Sequence, residues 1–352
     1  MTTKYLDSKR ISGTTADREG VTGVTGGWKE LGRTTLGSDT STIDVSSIPD
    51  KRYYKILMDY TQTSDFAGLH RLGNSSIDTG NNYHNRQSSN GGTDASSQAT
   101  YVRLDNGWQS GDRKFAVEYI ANKSDKEKLI LNHMVRSVTT GAGQAPQRSE
   151  VASKWANTSN VLDKFQMMNG GTYADGSEVV VLGWDEDDTH TTNFWEELAS
   201  VTTGSAGDTL QSGTISAKKY LWIQASYKND GAADINALPR FNGDGGANYS
   251  KRTSTNGAAD NARTGRTWID LESGGQTQRF ANMFIINNAS NEKLCIFNQM
   301  DYGASGASTA PNRIEGVAKW SNTSDQITSI EWDQRDAGNY AAGAELKVWG
   351  SN

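Results

Sequence analysis

The strongest constraint on this chain is an internal repeat, because most of its first half returns 165 to 167 residues later. The clearest match is the run Ala-Pro-X-Arg-X-Glu, followed a few residues on by Lys-Trp-X-Asn-Thr-Ser, in the same order in both copies. The matched segments are 28–31 with 195–198, 51–56 with 218–223, 115–131 with 280–296, and 145–159 with 310–324. A repeat of this length predicts two domains of one fold, each able to bury its own core.

The repeat also sets the expected domain limits. Domain one is predicted to cover residues 26–183 and domain two residues 193–350. The acid-rich residues 184–192 are interpreted as a linker. Residues 1–25 lie outside both copies and are interpreted as an N-terminal arm.

The hydropathy pattern predicts strands. Apolar residues occur in short runs separated by Gly, Asn, Asp and Ser, which is typical of strands joined by turns. The nearly continuous apolar character of 53–60 and 220–227 predicts central strands that are buried on both faces. Residues 148–157 alternate, with Trp155 on a predicted core face and the charged residues on a predicted solvated face. We therefore expect an all-β protein of two tandem antiparallel β-sandwich domains, of jelly-roll or lectin-like type, related by internal duplication.

Composition excludes several classes of function. The net charge of −6 is spread along both halves, which argues against nucleic-acid binding. No apolar stretch is long enough for a membrane span, and the first residues lack the apolar core of a signal peptide, so synthesis in a cytoplasm without secretion is expected. The single cysteine, Cys295, excludes an intrachain disulfide and is predicted to be a small buried hydrophobe.

No metal or cofactor is predicted. The four histidines have no metal-ligand spacing and are interpreted as surface or loop residues: His70, His84, His133 and His190. Oxygen-rich segments at 185–188 and 242–246 are possible calcium donors, but they lack EF-hand spacing and are interpreted as a solvated linker and a flexible turn. No glycine cluster follows a strand and opens a helix, so no phosphate-binding loop is predicted.

Catalysis is not predicted either. The acid repeated in both copies is Glu150, matched by Glu315, and glycoside hydrolysis would need a second carboxylate beside it. Arg148 and Lys154 flank Glu150, which favours a salt bridge over a general acid. No catalytic residue is therefore assigned.

Surface recognition remains as the predicted chemistry. The long polar loops 69–101 and 238–268 carry Tyr83 and Arg86, which recur as Tyr249 and Arg252. A tyrosine with an arginine can hold a sugar ring or a partner protein. The alternative is that these residues only fix the conformation of the loops.

Three segments resemble structural proteins of marine tailed bacteriophages: 4–13, 207–221 and 313–320. The resemblance implies a virion surface component with β-sandwich domains, such as a capsid decoration, a fibre or a tail-associated protein. Its partners would be other copies of itself and other virion proteins. The resemblance carries over no catalytic or binding residue.

The N-terminal arm is expected to order against a neighbouring subunit, because it contains Tyr5, Leu6 and Ile11 outside both domains. Virion assembly is the first functional hypothesis. A glycan-binding lectin-like module is the alternative, and a polysaccharide-degrading enzyme is a third.

Overall fold

The computed structural model describes residues 27–105, 110–185, 192–231, 234–271, 278–302, 306–334 and 337–352. These residues form β-strands, turns and isolated bridges, with no helix among them. The prediction of an all-β protein is thus confirmed. Within the described ranges, no helix has the length and apolar character needed to cross a bilayer.

The chain forms two compact units. Unit 2 comprises residues 90–92, 135–148 and 197–352, and unit 1 comprises the remainder. Unit 2 thus includes residues 90–92 and 135–148, which the repeat predicts to lie in domain one. The predicted arm with Tyr5, Leu6 and Ile11, and linker residues 186–191 with His190, lie outside the described residues.

Two antiparallel sheets centre on unit 1. The large sheet has the order β1-β13-β3-β9-β10-β11-β6-β7, and the small sheet has the order β2-β12-β4-β5, with β8 paired to β4. The strands are β1 Lys29–Thr35, β2 Thr40–Ser46, β3 Tyr53–Thr61, β4 Leu69–Asn74, β5 Ser76–Ile77, β6 Tyr83–Ser89, β7 Ala95–Ala99, β8 Val102–Arg103, β9 Arg113–Ala121, β10 Lys128–Arg136, β11 Gln147–Trp155, β12 Lys164–Tyr173 and β13 Glu178–Trp184.

The core of unit 1 lies between its two sheets. Alternate residues of a strand face opposite sides, so Tyr54, Ile56 and Met58 of β3 point to the core, where they join Phe165 and Met167 of β12. All five side chains are fully buried. Unit 1 is therefore a two-layered β-sandwich whose large sheet has one core face and one outer face.

Unit 2 has a large sheet of the same order, β14-β24-β16-β20-β21-β22-β18-β19, and a small sheet β15-β23-β17. Its core packs Ile223 and Met283 of the large sheet against Ile330 and Trp332 of the small one. The strands are β14 Glu196–Thr202, β15 Thr209–Thr214, β16 Tyr220–Tyr227, β17 Ala237–Phe241, β18 Tyr249–Thr255, β19 Asn261–Arg266, β20 Arg279–Ile286, β21 Lys293–Asp301, β22 Asn312–Trp320, β23 Ser329–Gln334 and β24 Glu345–Ser351.

Local predictions made from alternation have mixed outcomes. The two predicted central strands are β3 and β16, each hydrogen-bonded on both sides, and Cys295 is buried. On β22, the counterpart of 148–157, the charged face that was predicted to be solvated is only partly so: the Arg313 side chain is 62% exposed, but Lys319 is fully buried. Its ammonium donates to the carbonyl oxygen of Ser137 at 3.0 Å, within unit 2.

Candidate binding surface

The outer face of the large sheet in unit 1 carries an apolar groove of about 640 Å³. It lies over β3, β9 and β10, which are neighbours in the sheet. Leu129 and Leu131 are each 59% exposed, because β10 points its alternate residues Ile130 and Met134 to the core instead. Aromatic and aliphatic side chains line the groove, with Trp28, Tyr53, Tyr119 and Trp184 among them.

Aromatic contacts fix the shape of the groove. Tyr53 of β3 and Trp184 of β13 are register partners, and their rings stack with centroids 5.7 Å apart. Trp28, just before β1, meets Tyr119 of β9 edge to face at 6.4 Å. Such pairs contribute beyond the area that they bury, so the groove is expected to be preformed.

A buried lysine lies beneath these rings. The Lys55 ammonium is 4.7 Å from the ring centroid of Trp28, 5.1 Å from that of Tyr119 and 6.0 Å from that of Trp195. Burial lowers the pKa of Lys55 from 10.5 to about 7. At neutral pH the amine is therefore partly uncharged, which keeps this end of the groove close to neutral.

The groove suits apolar ligand groups. Two of its hydroxyls are engaged elsewhere, since the Ser153 hydroxyl donates to Asn85 at 2.8 Å and the Tyr54 hydroxyl donates to the Pro49 carbonyl at 3.0 Å. A sugar site needs directed hydrogen-bond donors and acceptors. Large exposed apolar patches often mark binding surfaces, which makes this groove the candidate site.

A hydrogen-bonded histidine and glutamate are buried in the core of unit 1. His70 Nε2 lies 2.9 Å from Glu118 Oε2, and both side chains are fully buried. Asn132 donates to the same oxygen at 3.4 Å, and Phe165 stacks on the imidazole at 4.7 Å. The interpretation of His70 as a surface or loop residue is wrong. Because the pair has no access to solvent, it is a structural feature and not a catalytic site.

Unit 2 has apolar residues where unit 1 has this pair. At the repeat offset of 165, Glu118 corresponds to Met283 and Asn132 to Phe297, both fully buried. His70 lies two residues before Leu72, whose counterpart is Phe241, and so corresponds to Pro239. The polar cluster is thus not required by this arrangement of strands.

The two predicted recognition tyrosines are core residues, which corrects their assignment to surface loops. Tyr83 is on β6. Its hydroxyl accepts a hydrogen bond from the backbone nitrogen of Leu72 and donates one to the Leu72 carbonyl oxygen, each at 3.0 Å. Tyr249 on β18 contacts the backbone of Phe241 in the same way. These hydroxyls tie the large sheet to the small one.

The paired arginines differ from each other. Arg86 is exposed and lies 3.6 Å from Asp94. Arg252 is partly buried and donates from Nε to the carbonyl of Pro146 at 2.9 Å, within unit 2. Of the four predicted recognition residues, only Arg86 projects into solvent.

The predicted calcium donor at 242–246 is a hydrogen-bonded turn instead of a flexible one. Both carboxylate oxygens of Asp244 accept hydrogen bonds, with Gly246 N at 2.8 Å and Trp320 Nε1 at 2.7 Å. Partial burial alone raises the pKa of Asp244, but the bonds from Trp320, Asn248 and Gly246 outweigh it and hold the pKa below its usual value. Among the described residues, no three His, Cys, Asp or Glu side chains group as metal ligands.

The two basic residues that flank Glu150 also pair with other acids. Arg148 pairs with Asp260 at 2.8 Å, and Lys154 pairs with Glu127 at 2.8 Å. The repeated acid Glu315 lies 3.5 Å from Arg148.

The groove itself was missed by sequence reasoning. The alternation of Leu129 and Leu131 with buried residues was visible, but both leucines read equally well as core. One signal could have identified them: they lie on the opposite face of the strand from Ile130, and Ile130 is apolar as well. Two apolar faces on one strand indicate that the outer face also has a partner.

Comparisons with known proteins add little. No protein-family model matches the sequence, and no curated protein matches it. The chain is similar to domains LG4-5 of the mouse laminin alpha1 chain, with 11% identity over 95% of this chain and 93% of that one, at a TM-score of 0.19. It is also similar to Pseudomonas aeruginosa OpdK with vanillate, with 7% identity over 84% and 97% of the chains, at a TM-score of 0.12. Scores this low carry no argument, so the β-sandwich is assigned from the sheets of the chain itself.

Proposed function

We propose that this chain is a structural protein on the surface of a tailed phage particle, where it assembles with copies of itself and with other virion proteins. The observation that carries the proposal is the apolar groove over β3, β9 and β10, with Leu129 and Leu131 exposed. A polar chain with a mean hydropathy of −0.69 gains nothing from exposing such a patch unless a partner covers it.

Two further observations support assembly. Segments 4–13, 207–221 and 313–320 resemble structural proteins of marine tailed phages. The N-terminal arm offers Tyr5, Leu6 and Ile11 as contacts for a neighbouring subunit. Production in a host cytoplasm and display on the virion surface belong to the same proposal, as does the absence of enzymatic activity.

We also propose that the two units arose by duplication of one jelly-roll or lectin-like sandwich. The support is their common strand order and the recurrence of the tyrosine tie between sheets. The rings of Tyr83 and Trp155 stack at 6.4 Å, and those of Tyr249 and Trp320 stack at 6.3 Å.

Glycan binding is the second candidate. The stacked pair of Tyr53 and Trp184 favours it, because an aromatic face can hold a sugar ring. The scarcity of hydrogen-bonding groups in the groove favours the protein partner over the sugar.

Labelling of particles tests the proposal directly. Antibodies raised against the purified chain are expected to decorate the outside of intact tailed particles whose genome encodes it, in negative-stain electron micrographs. Unlabelled particles, together with specific binding on a glycan array, would replace the structural role with the lectin role. Release of reducing ends from a polysaccharide, lost in Glu150→Gln, would replace it with the enzyme.

A further inference from the structure

Unit 2 has a chain segment lying on the outer face of its large sheet. Lys319 donates to the Ser137 carbonyl at 3.0 Å, and Arg252 donates to the Pro146 carbonyl at 2.9 Å. Residues 135–148 thus cross this face with their backbone carbonyls held by side chains of β18 and β22. Because backbone carbonyls are present at every residue, binding of this kind depends on the backbone conformation of the segment more than on its side chains.

An ion pair and apolar burial complete this contact within unit 2. Arg148 Nη2 donates to Asp260 Oδ1 at 2.8 Å, and both side chains are almost fully buried. Leu294 and Ile296 of β21, on the same outer face, are buried as well. A charge-assisted hydrogen bond beside a buried apolar floor is typical of a specific interface.

The same segment occurs a second time in the chain. Residues 141–148 read Gly-Ala-Gly-Gln-Ala-Pro-Gln-Arg, and residues 306–313 read Gly-Ala-Ser-Thr-Ala-Pro-Asn-Arg. Gly141 and Gly306 share a left-handed backbone, with φ of 92° and 93°. Residues 306–311 are exposed, and the Arg313 side chain is 62% exposed. The second segment therefore has the conformation of the first at its glycine and is open to solvent.

The receiving face also occurs a second time, in unit 1. The counterparts of its residues at the repeat offset are Arg86, Asp94, Lys154, Leu129 and Leu131. Arg86 and Asp94 have 63% and 53% of their side chains exposed, and the two leucines are the floor of the apolar groove. Unit 1 thus presents in solvent the same set of groups that unit 2 uses to hold residues 135–148.

We propose that residues 306–313 of one copy bind the outer face of unit 1 of a second copy. Arg313 pairs with Asp94 of the second copy, Arg86 donates to the Pro311 carbonyl, and the segment covers Leu129. The inference rests on the proposed assembly function and names its self-contact. Because the two surfaces differ, the interface is heterologous and repeats from copy to copy.

Charge exchange tests the contact in the full-length chain. Arg313→Asp loses the donor and Asp94→Arg loses the acceptor, so each variant alone should associate roughly a hundredfold more weakly than the wild type by analytical ultracentrifugation. An equimolar mixture of the two single variants should recover long alternating assemblies, because every contact between unlike chains then pairs opposite charges. The double variant Asp94→Arg/Arg313→Asp should recover long assemblies. Asp44→Arg, on β2 in the other layer of unit 1, is the matched control and should behave as the wild type.

The groove supplies a second test. Leu131→Asp should abolish association without altering the melting temperature, because the side chain is already largely in water. Single charge variants that assemble like the wild type, a double variant that stays apart, or a wild type that never associates would each overturn the inference. In all three cases the labelling of particles decides the proposed function separately.

Discussion

Replacing Lys55 by methionine is expected to stabilise the protein at neutral pH. Burial lowers the pKa of this lysine from 10.5 to about 7, a change that corresponds to about 5 kcal/mol of unfavourable free energy for the charged form. A folded-state pKa of about 7 expresses the net cost of the charged form at this site, next to the rings of Trp28, Tyr119 and Trp195. Lys55→Met removes this cost, about 5 kcal/mol at pH 6, while filling a similar volume.

The pH dependence of this difference follows from the direction of the shift. Between pH 7 and pH 10.5 the unfolded chain binds the proton of Lys55 and the folded chain does not, so the free energy of unfolding of the wild type rises with pH. Methionine has no proton to bind, so the variant lacks this rise. The advantage of Lys55→Met should be full below pH 7 and shrink steadily towards pH 10.

Urea unfolding at one-unit intervals from pH 6 to pH 10 measures both curves. Lys126→Met is the control, because this lysine is largely exposed and its removal should leave the curve unchanged. A Lys55→Met variant that is less stable than the wild type at pH 6, or a difference that is constant with pH, would refute the reasoning.

Three further outcomes are expected. Trp155→Phe removes the indole donor to Asp78 and should lower the free energy of unfolding in urea by about 1–3 kcal/mol, more than the same substitution of an exposed tryptophan would. Glu118→Met should cost about 3–5 kcal/mol because it leaves His70 buried without its carboxylate, whereas His70→Leu/Glu118→Met/Asn132→Phe should recover most of that loss; equal stability of the two variants would contradict this. The single cysteine should react with Ellman's reagent only after unfolding, since burial raises the pKa of its thiol; fast labelling of the native protein would show otherwise.

The sequence predicted strands where apolar periodicity is local. The central strand at 53–60 is evident because a strand buried on both faces has few polar residues. The strand at Tyr83–Ser89 was read as a loop for the opposite reason. Its inward residues are Tyr83, Asn85 and Gln87, so two of its three buried side chains are polar and the alternation does not appear in hydropathy.

The binding surface depends on information that a single strand does not contain. Whether Leu129 faces the core or the outside is decided by pairing with β9 and β11. The burial of Lys55 is likewise decided by Trp28 and Trp195, which are distant in sequence. Long-range pairing of this kind leaves no local pattern, so the sequence placed the core tyrosines Tyr83 and Tyr249 in surface loops and did not show that Leu129 and Leu131 line an exposed groove.

Comparison of the two units distinguishes contacts that the fold requires from contacts on the outer surface. Both contain a stacked tyrosine and tryptophan on neighbouring strands of the large sheet, and a hydrogen bond from that tryptophan to an aspartate in the loop before the strand of the tyrosine.

The outer faces of the two large sheets differ instead. Where unit 1 places Lys55 beside Tyr119, unit 2 places Trp222 stacked on Phe284 at 5.7 Å. Contacts that a sandwich requires recur in every copy, whereas contacts that a partner requires are free to differ. The outer face is therefore where changes in binding should appear first, and substitutions of its exposed residues Leu129 and Leu131 should alter association while leaving the free energy of unfolding nearly unchanged.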